Sequence, residues 1–166
     1  MESSIVYTPA SMVYNTPYKE KRGELMKQSI VVIDGMGGGI GVQLIGKLKD
    51  LDADIVALGT NSTATEKMLR AGAQRGATGE NAIRLNVRLA DFIMGPMGIV
   101  IPGGLMGEIS APVAEAVMTA PGRRILIPLQ DHHFHLVGQE TQPLARLVDK
   151  ALTWLKEQLP RERSEE

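Results

Sequence analysis

Cysteine is absent from this 166-residue chain. That excludes disulfides, thiolate catalysis, iron–sulfur clusters and cysteine-ligated zinc. Aromatic residues are scarce at 4%, and all three tyrosines (Tyr7, Tyr14, Tyr18) fall in the first 18 residues. Only Phe92, Phe134 and Trp154 remain for the folded part, so its core has to be aliphatic. No apolar run approaches the ~20 residues that span a bilayer. The N-terminus also lacks the continuous apolar core of a secretion signal, so the cytoplasm is the expected compartment. Eighteen Lys and Arg against nineteen Asp and Glu leave a formal charge of −1. A chain so balanced has no bulk field to attract nucleic acid or an anionic membrane, and neither is expected as a partner.

What is present is an ordinary globular composition, 43% apolar and 22% charged, at the length of one domain. Residues 1–25 read as a tail. Val6-Tyr7-Thr8-Pro9 and Val13-Tyr14-Asn15-Thr16-Pro17 are loosely repeated and broken by proline, and a charged run from Lys19 to Arg22 follows. Met26 is a candidate start, which makes the preceding stretch either an upstream-start artefact or a docking arm. Residues 26–160 read as one domain, and 161–166 as a second, solvated tail.

Within the domain, strands and helices alternate. Ser29–Ile33 is a continuous β-branched run, as expected of a strand covered on both faces. A glycine cluster leads to a helix carrying Ile40, Leu44, Ile45, Leu48 and Leu51 at helical spacing. Ala53–Leu58 is the second predicted strand. Asn61–Ala71 reads as a helix, with Thr63 and Glu66 at capping-box spacing and Gly72 as its stop. Gly76–Gly79 reads as a turn leading to a helix over Glu80–Leu89. Asp91–Met94 is the third strand, and Gly98–Ile101 either extends it or forms a separate piece. A helix over Ile109–Thr119, a fourth strand over Arg124–Leu129 and a fifth over His133–Val137 follow. The last helix carries one apolar stripe from Leu144 to Leu159.

This alternation predicts an α/β fold, a three-layer Rossmann-like domain with a mainly parallel sheet of four to five strands. Two helices separate the second and third strands. The expected order therefore sets the second, first, third and fourth strands side by side, with the fifth at the edge.

Asp34-Gly-Met-Gly-Gly-Gly-Ile-Gly41 packs five glycines into seven residues between the first strand and its helix. Gly35, Gly39 and Gly41 fit GxxxGxG, and Gly37, Gly39 and Gly41 fit GxGxG. Glycines at this point let the backbone approach a ligand closely, and N–H groups of the helix's first turn suit a phosphate. The expected ligand is a nucleotide, a dinucleotide such as NAD(P), or another phosphorylated small molecule. Gly35, Gly37, Gly38, Gly39 and Gly41 are its expected backbone donors, and Asp34, Thr60 and Asn61 its polar contacts. The plainer alternative is a sharp turn with tight helix–strand packing. Dinucleotide folds place an acid at the end of the second strand for the ribose, yet here Gly59-Thr60-Asn61-Ser62 contains none. Helix capping explains Thr60, Asn61 or Ser62 equally well without a ligand. Asp34 would hold a cation or a ribose, or cap the Gly37–Gly39 amides. Met36, Met97 and Met106 would wall a base or simply fill gaps.

All three histidines lie within Asp131-His132-His133-Phe134-His135. In an extended segment His133 and His135 share a face, and with His132 or Asp131 they form a candidate site for zinc, iron or nickel. Asp131 and His135 are roughly 13 Å apart in extended chain, so one ion requires a turn between them. The alternatives are a polar loop at a sheet edge or a catalytic histidine without metal. A divalent metal is thus the second expected cofactor. A non-catalytic module that pairs as a homodimer through the sheet edge or last helix is the third reading.

The runs Ile30–Gly41, Ala57-Leu-Gly-Thr-Asn61, Gly76-Ala-Thr-Gly-Glu-Asn-Ala-Ile83 and Gly107-Glu-Ile109 resemble a family of small bacterial proteins known as a domain of unknown function. The resemblance covers roughly Ser29 to Val137 and implies a Rossmann-like domain with no assigned activity. The first strand and loop are also similar to those of short-chain dehydrogenases. The chain is too short for one and its folded part lacks their catalytic tyrosine, so that likeness supports a cofactor loop and not a reaction.

Overall fold

The computed structural model describes residues 27–128 and 135–159. Five strands form one sheet: β1 (Gln28–Asp34), β2 (Ala53–Gly59), β3 (Arg75–Thr78), β4 (Phe92–Pro96) and β5 (Arg123–Ile127). Their order is β3-β2-β1-β4-β5, and every pairing is parallel. The helices are α1 (Gly39–Leu48), α2 (Ser62–Arg70), α3 (Glu80–Asn86), α4 (Ala111–Thr119) and α5 (Leu144–Gln158). No helix among the described residues is long and apolar enough to cross a membrane.

Alternation along β1 assigns the layers. Ile30 and Val32 face one way and pack with Leu44, Ile45 and Leu48 of α1, Met68 of α2, and Val148, Leu152 and Leu155 of α5. Val31 and Ile33 face the other way, against Ile83 of α3 and Val113 and Val117 of α4. Three layers follow from a central strand that is apolar on both faces. Asp34, next in the alternation, ends β1 beneath the start of α1 and is only 4% exposed.

The four apolar strands stand in the expected order. The glycine-rich segment Arg75–Thr78 is a strand rather than a turn, and it takes the edge beyond β2. Its residues are mostly exposed and it pairs on one side only, so no apolar run marks it. Gln74 continues the ladder where β3 begins: its side chain accepts from the Ile55 N–H at 2.7 Å and donates to the Ala53 carbonyl at 3.3 Å. Because Ile55 is fully buried, Gln74→Ala is expected to cost about 1–3 kcal/mol through the orphaned amide. Chemical denaturation would check this, and an unchanged midpoint would contradict it.

Other expectations need correcting in detail. Asn61, not Thr63, caps α2, with its side chain accepting from the Ala64 N–H at 2.9 Å. Ser110 caps α4, with Pro112 in the first turn. Met97–Val100 is a 3-10 turn and not an extension of β4. Of the fifth predicted strand, residues 133 and 134 lie outside the described residues, and residues 135–137 are not extended into a strand.

Candidate functional site

In an open parallel sheet the crevice for a ligand lies beyond the carboxyl ends of the strands, where chain order reverses. Here the reversal falls between β1, which runs on to β2, and β4 on its other side. The glycine loop 35–38 sits at that point. It borders a cleft of about 230 Å³ lined by Gly37, Gly39, Gln43, Leu105 and Leu144 among others.

Asp34 organises the loop from beneath. One carboxylate oxygen accepts from the Gly35 N–H at 2.8 Å and the other from the Gly41 N–H at 2.7 Å. The Ile40 amide adds to the stabilisation of the charged form. The carboxylate thus takes the place of an anion at the N-terminus of α1, whose N-cap, Gly38, has no side chain to offer. Burial pushes the Asp34 carboxyl above its ordinary value; the three backbone donors pull it back, and nearby Glu108 adds to the rise.

The five glycines divide by what a side chain would meet. A Cβ at Gly35 would overlap the Glu108 carboxylate and the Thr60 hydroxyl, and one at Gly41 would overlap Met68. Gly38 has φ +70° and lies against Ala64. These three are glycine for reasons internal to the fold. Gly37 and Gly39 differ: both are exposed, neither has a positive φ, and a Cβ on either would meet nothing within 4 Å. Their N–H groups have no partner among the described residues, whereas the Gly38 N–H bonds to the Gly35 carbonyl at 2.8 Å.

Glu108 is the residue that sequence reasoning missed. The segment before α4 folds on itself through bonds from the Gly103 N–H to the Ile109 carbonyl (2.8 Å) and the Ile109 N–H to the Gly104 carbonyl (3.1 Å). The Leu105 side chain sits close to both Gly35 and Gly98, where only glycine leaves it room. This compact loop delivers the Glu108 carboxylate to the end of β2. There it accepts from the Met36 N–H at 2.6 Å, from the Thr60 hydroxyl, and from the Asn61 amide at 3.2 and 3.3 Å. The Thr60 hydrogen bond, followed by the Met36 amide, holds the Glu108 carboxyl below its ordinary value despite some desolvation. Lys67 of α2 brings a positive charge to the loop, donating to the Gly37 carbonyl at 3.1 Å.

Backbone strain gathers at the same place. The only non-glycine residues with positive φ among the described ones are Met36 (49°), Leu105 (52°) and Met106 (56°), all in the two loops that Glu108 joins. Such outliers concentrate where a structure holds a functional geometry.

The expected residues Asp34, Gly35, Gly37, Gly38, Gly39, Gly41, Thr60 and Asn61 are therefore neighbours at one edge of the sheet. Asp131, His132 and His133 lie outside the described residues, and His135 is exposed. Among the described residues no group of three or more His, Asp or Glu stands where it could hold a metal ion.

Fold and site together define a three-layer, Rossmann-like α/β domain with a glycine-rich first βα loop. The chain belongs to the family described as Domain of unknown function (DUF3842), whose family model matches residues 29–160. No curated protein matches it. Among solved structures, it is similar to a dodecameric FMN-dependent UbiX-like decarboxylase from Escherichia coli O157:H7. The two are 16% identical over 78% of this chain and 76% of that one, with a TM-score of 0.40.

Proposed function

We propose that this chain binds a nucleotide, a dinucleotide or a related phosphorylated small molecule at the first βα loop. The observation that carries the reading is the contrast among the glycines. Gly37 and Gly39 present unpartnered N–H groups, and nothing in the described residues requires them to lack side chains. A phosphate approaching the backbone closely supplies that requirement. Asp34 already occupies the Gly35 and Gly41 amides. The ligand thus has two loop donors to use, and Asp34 serves to hold the loop open for it.

The cleft of about 230 Å³ is below the ~300–1,000 Å³ of a complete small-molecule pocket. It would hold one part of such a ligand, with the remainder along the strand ends past Thr60 and Asn61. NAD(P) is the leading candidate because of the position beside the β1–β4 reversal.

A thermal-shift series with NAD, NADP, ATP, GTP, S-adenosylmethionine, Zn²⁺ and Ni²⁺ tests the reading. A ligand at about 100 times its dissociation constant stabilises by roughly 2.7 kcal/mol. In a domain of this size that raises the midpoint by roughly 5–10 °C. A rise with at least one nucleotide is expected. A rise confined to the metals would contradict the reading and direct attention to residues 131–135.

A further inference from the structure

We infer that Glu108 is the specificity residue of this site, selecting a ribose with a free 2′-hydroxyl over one that lacks it or carries a 2′-phosphate. The inference rests on the nucleotide reading and names the class of nucleotide.

The end of β2 has no acid of its own: Gly59-Thr60-Asn61-Ser62 contributes only hydroxyl and amide groups. In dinucleotide folds that position carries the carboxylate that accepts from the ribose. Here the carboxylate arrives from a loop 47 residues further along the chain than Asn61. Thr60 and Asn61, which look like ligand contacts in sequence, donate to it instead, Asn61 donating also to the Met36 carbonyl at 3.1 Å.

The two oxygens of Glu108 are unequally used. Oε2 receives the Met36 N–H, the Thr60 hydroxyl and the longer Asn61 contact, while Oε1 receives only Asn61 at 3.2 Å. Oε1 therefore keeps acceptor capacity on an exposed side chain, next to a loop with two open N–H donors. A carboxylate accepts and does not donate, so a hydroxyl suits it and a phosphate does not. A 2′-phosphate would meet like charge there. Lys67, which reaches the loop, is bound to the Gly37 carbonyl, and 59–62 contains no Arg or Lys.

The test is calorimetric titration of the full chain with NAD, NADP, ATP, 2′-deoxy-ATP, GTP and 2′-deoxy-GTP, repeated on Glu108→Gln. For each nucleotide that binds, loss of the 2′-hydroxyl or addition of a 2′-phosphate is expected to weaken wild-type binding roughly tenfold or more. Glu108→Gln is expected to weaken the ribonucleotide and leave the 2′-deoxy form nearly unchanged, a coupling that a merely structural residue would not produce. The ligand-side comparison uses the unaltered protein, so it stands even if the variant folds poorly. Equal binding of ribo and deoxy forms, or binding of NADP as tight as NAD, would overturn the Glu108 assignment and leave the nucleotide reading intact. Binding of none of the six would overturn the Glu108 assignment and the nucleotide part of the reading, leaving only other phosphorylated molecules for the glycine loop.

Discussion

Asp34→Ala is expected to lower the thermal midpoint by roughly 6–12 °C. The substitution leaves the Gly35 and Gly41 amides without their acceptor at a position only 4% exposed. Each orphaned buried donor costs about 1–3 kcal/mol, and removing a desolvated carboxylate gives part of that back, for a net of about 3 kcal/mol. Asp34→Asn is expected to fall between wild type and alanine. Its amide offers one acceptor, and its NH₂ would face a backbone N–H. The dependence on pH has a definite sign. The folded state holds the Asp34 proton more tightly than the unfolded chain does, because burial raises the carboxyl above its ordinary 3.8. The stability linked to this group is therefore full below that value and falls as pH climbs towards the raised one. Consequently the penalty of Asp34→Ala should grow on acidification. Glu108 runs the opposite way: its carboxyl is lowered, so its contribution is present above its ordinary 4.5 and is lost as pH falls through the lowered value. Midpoints measured on both sides of these two ordinary values check both signs. An unchanged midpoint in Asp34→Ala would mean that the carboxylate does not hold the loop.

Gly39→Val is expected to leave the fold intact and to weaken nucleotide binding roughly 100-fold or more, about 2.7 kcal/mol or above. Gly39 opens α1 without a positive φ, and a Cβ there would meet nothing from the rest of the described fold within 4 Å. Valine is no worse a helix former than glycine, so stability should hold or rise slightly. A branched side chain at that point would block close approach of a phosphate to the Gly39 amide. Gly35→Ala provides the contrast. Its methyl would collide with the Glu108 and Thr60 oxygens, so both stability and binding should suffer. Full affinity in Gly39→Val, with the fold preserved, would show that the ligand does not need a bare backbone at Gly39.

Much of the architecture is legible in sequence because burial writes it there. β1 and β2 are apolar on both faces, and α5 carries a stripe in which Val148, Ala151, Leu152 and Leu155 are buried. Arg75–Thr78 escapes such reading because an exposed, one-sided edge strand needs no apolar pattern, and Gly76 in fact lies directly against Leu69. The glycine loop is visible as a motif, but its division of labour is not. Which glycines serve the fold depends on Glu108, Thr60, Ala64 and Met68, all distant in sequence. Glu108 itself sits within a legible run, Gly107-Glu108-Ile109, while its partners Met36, Thr60 and Asn61 lie 72, 48 and 47 residues away. No local spacing encodes that meeting; the return of the chain to the β1–β4 reversal brings it about.

Ligand binding at the glycine loop is tested most directly by the amide spectrum of the ¹⁵N-labelled chain during titration with NAD. The Gly37 and Gly39 N–H resonances are expected to move most, and those of Glu108 and its neighbours next. The Gly35 and Gly41 amides, held by Asp34, should move little. Binding that leaves Gly37 and Gly39 unmoved and perturbs another surface would contradict the assignment of the site.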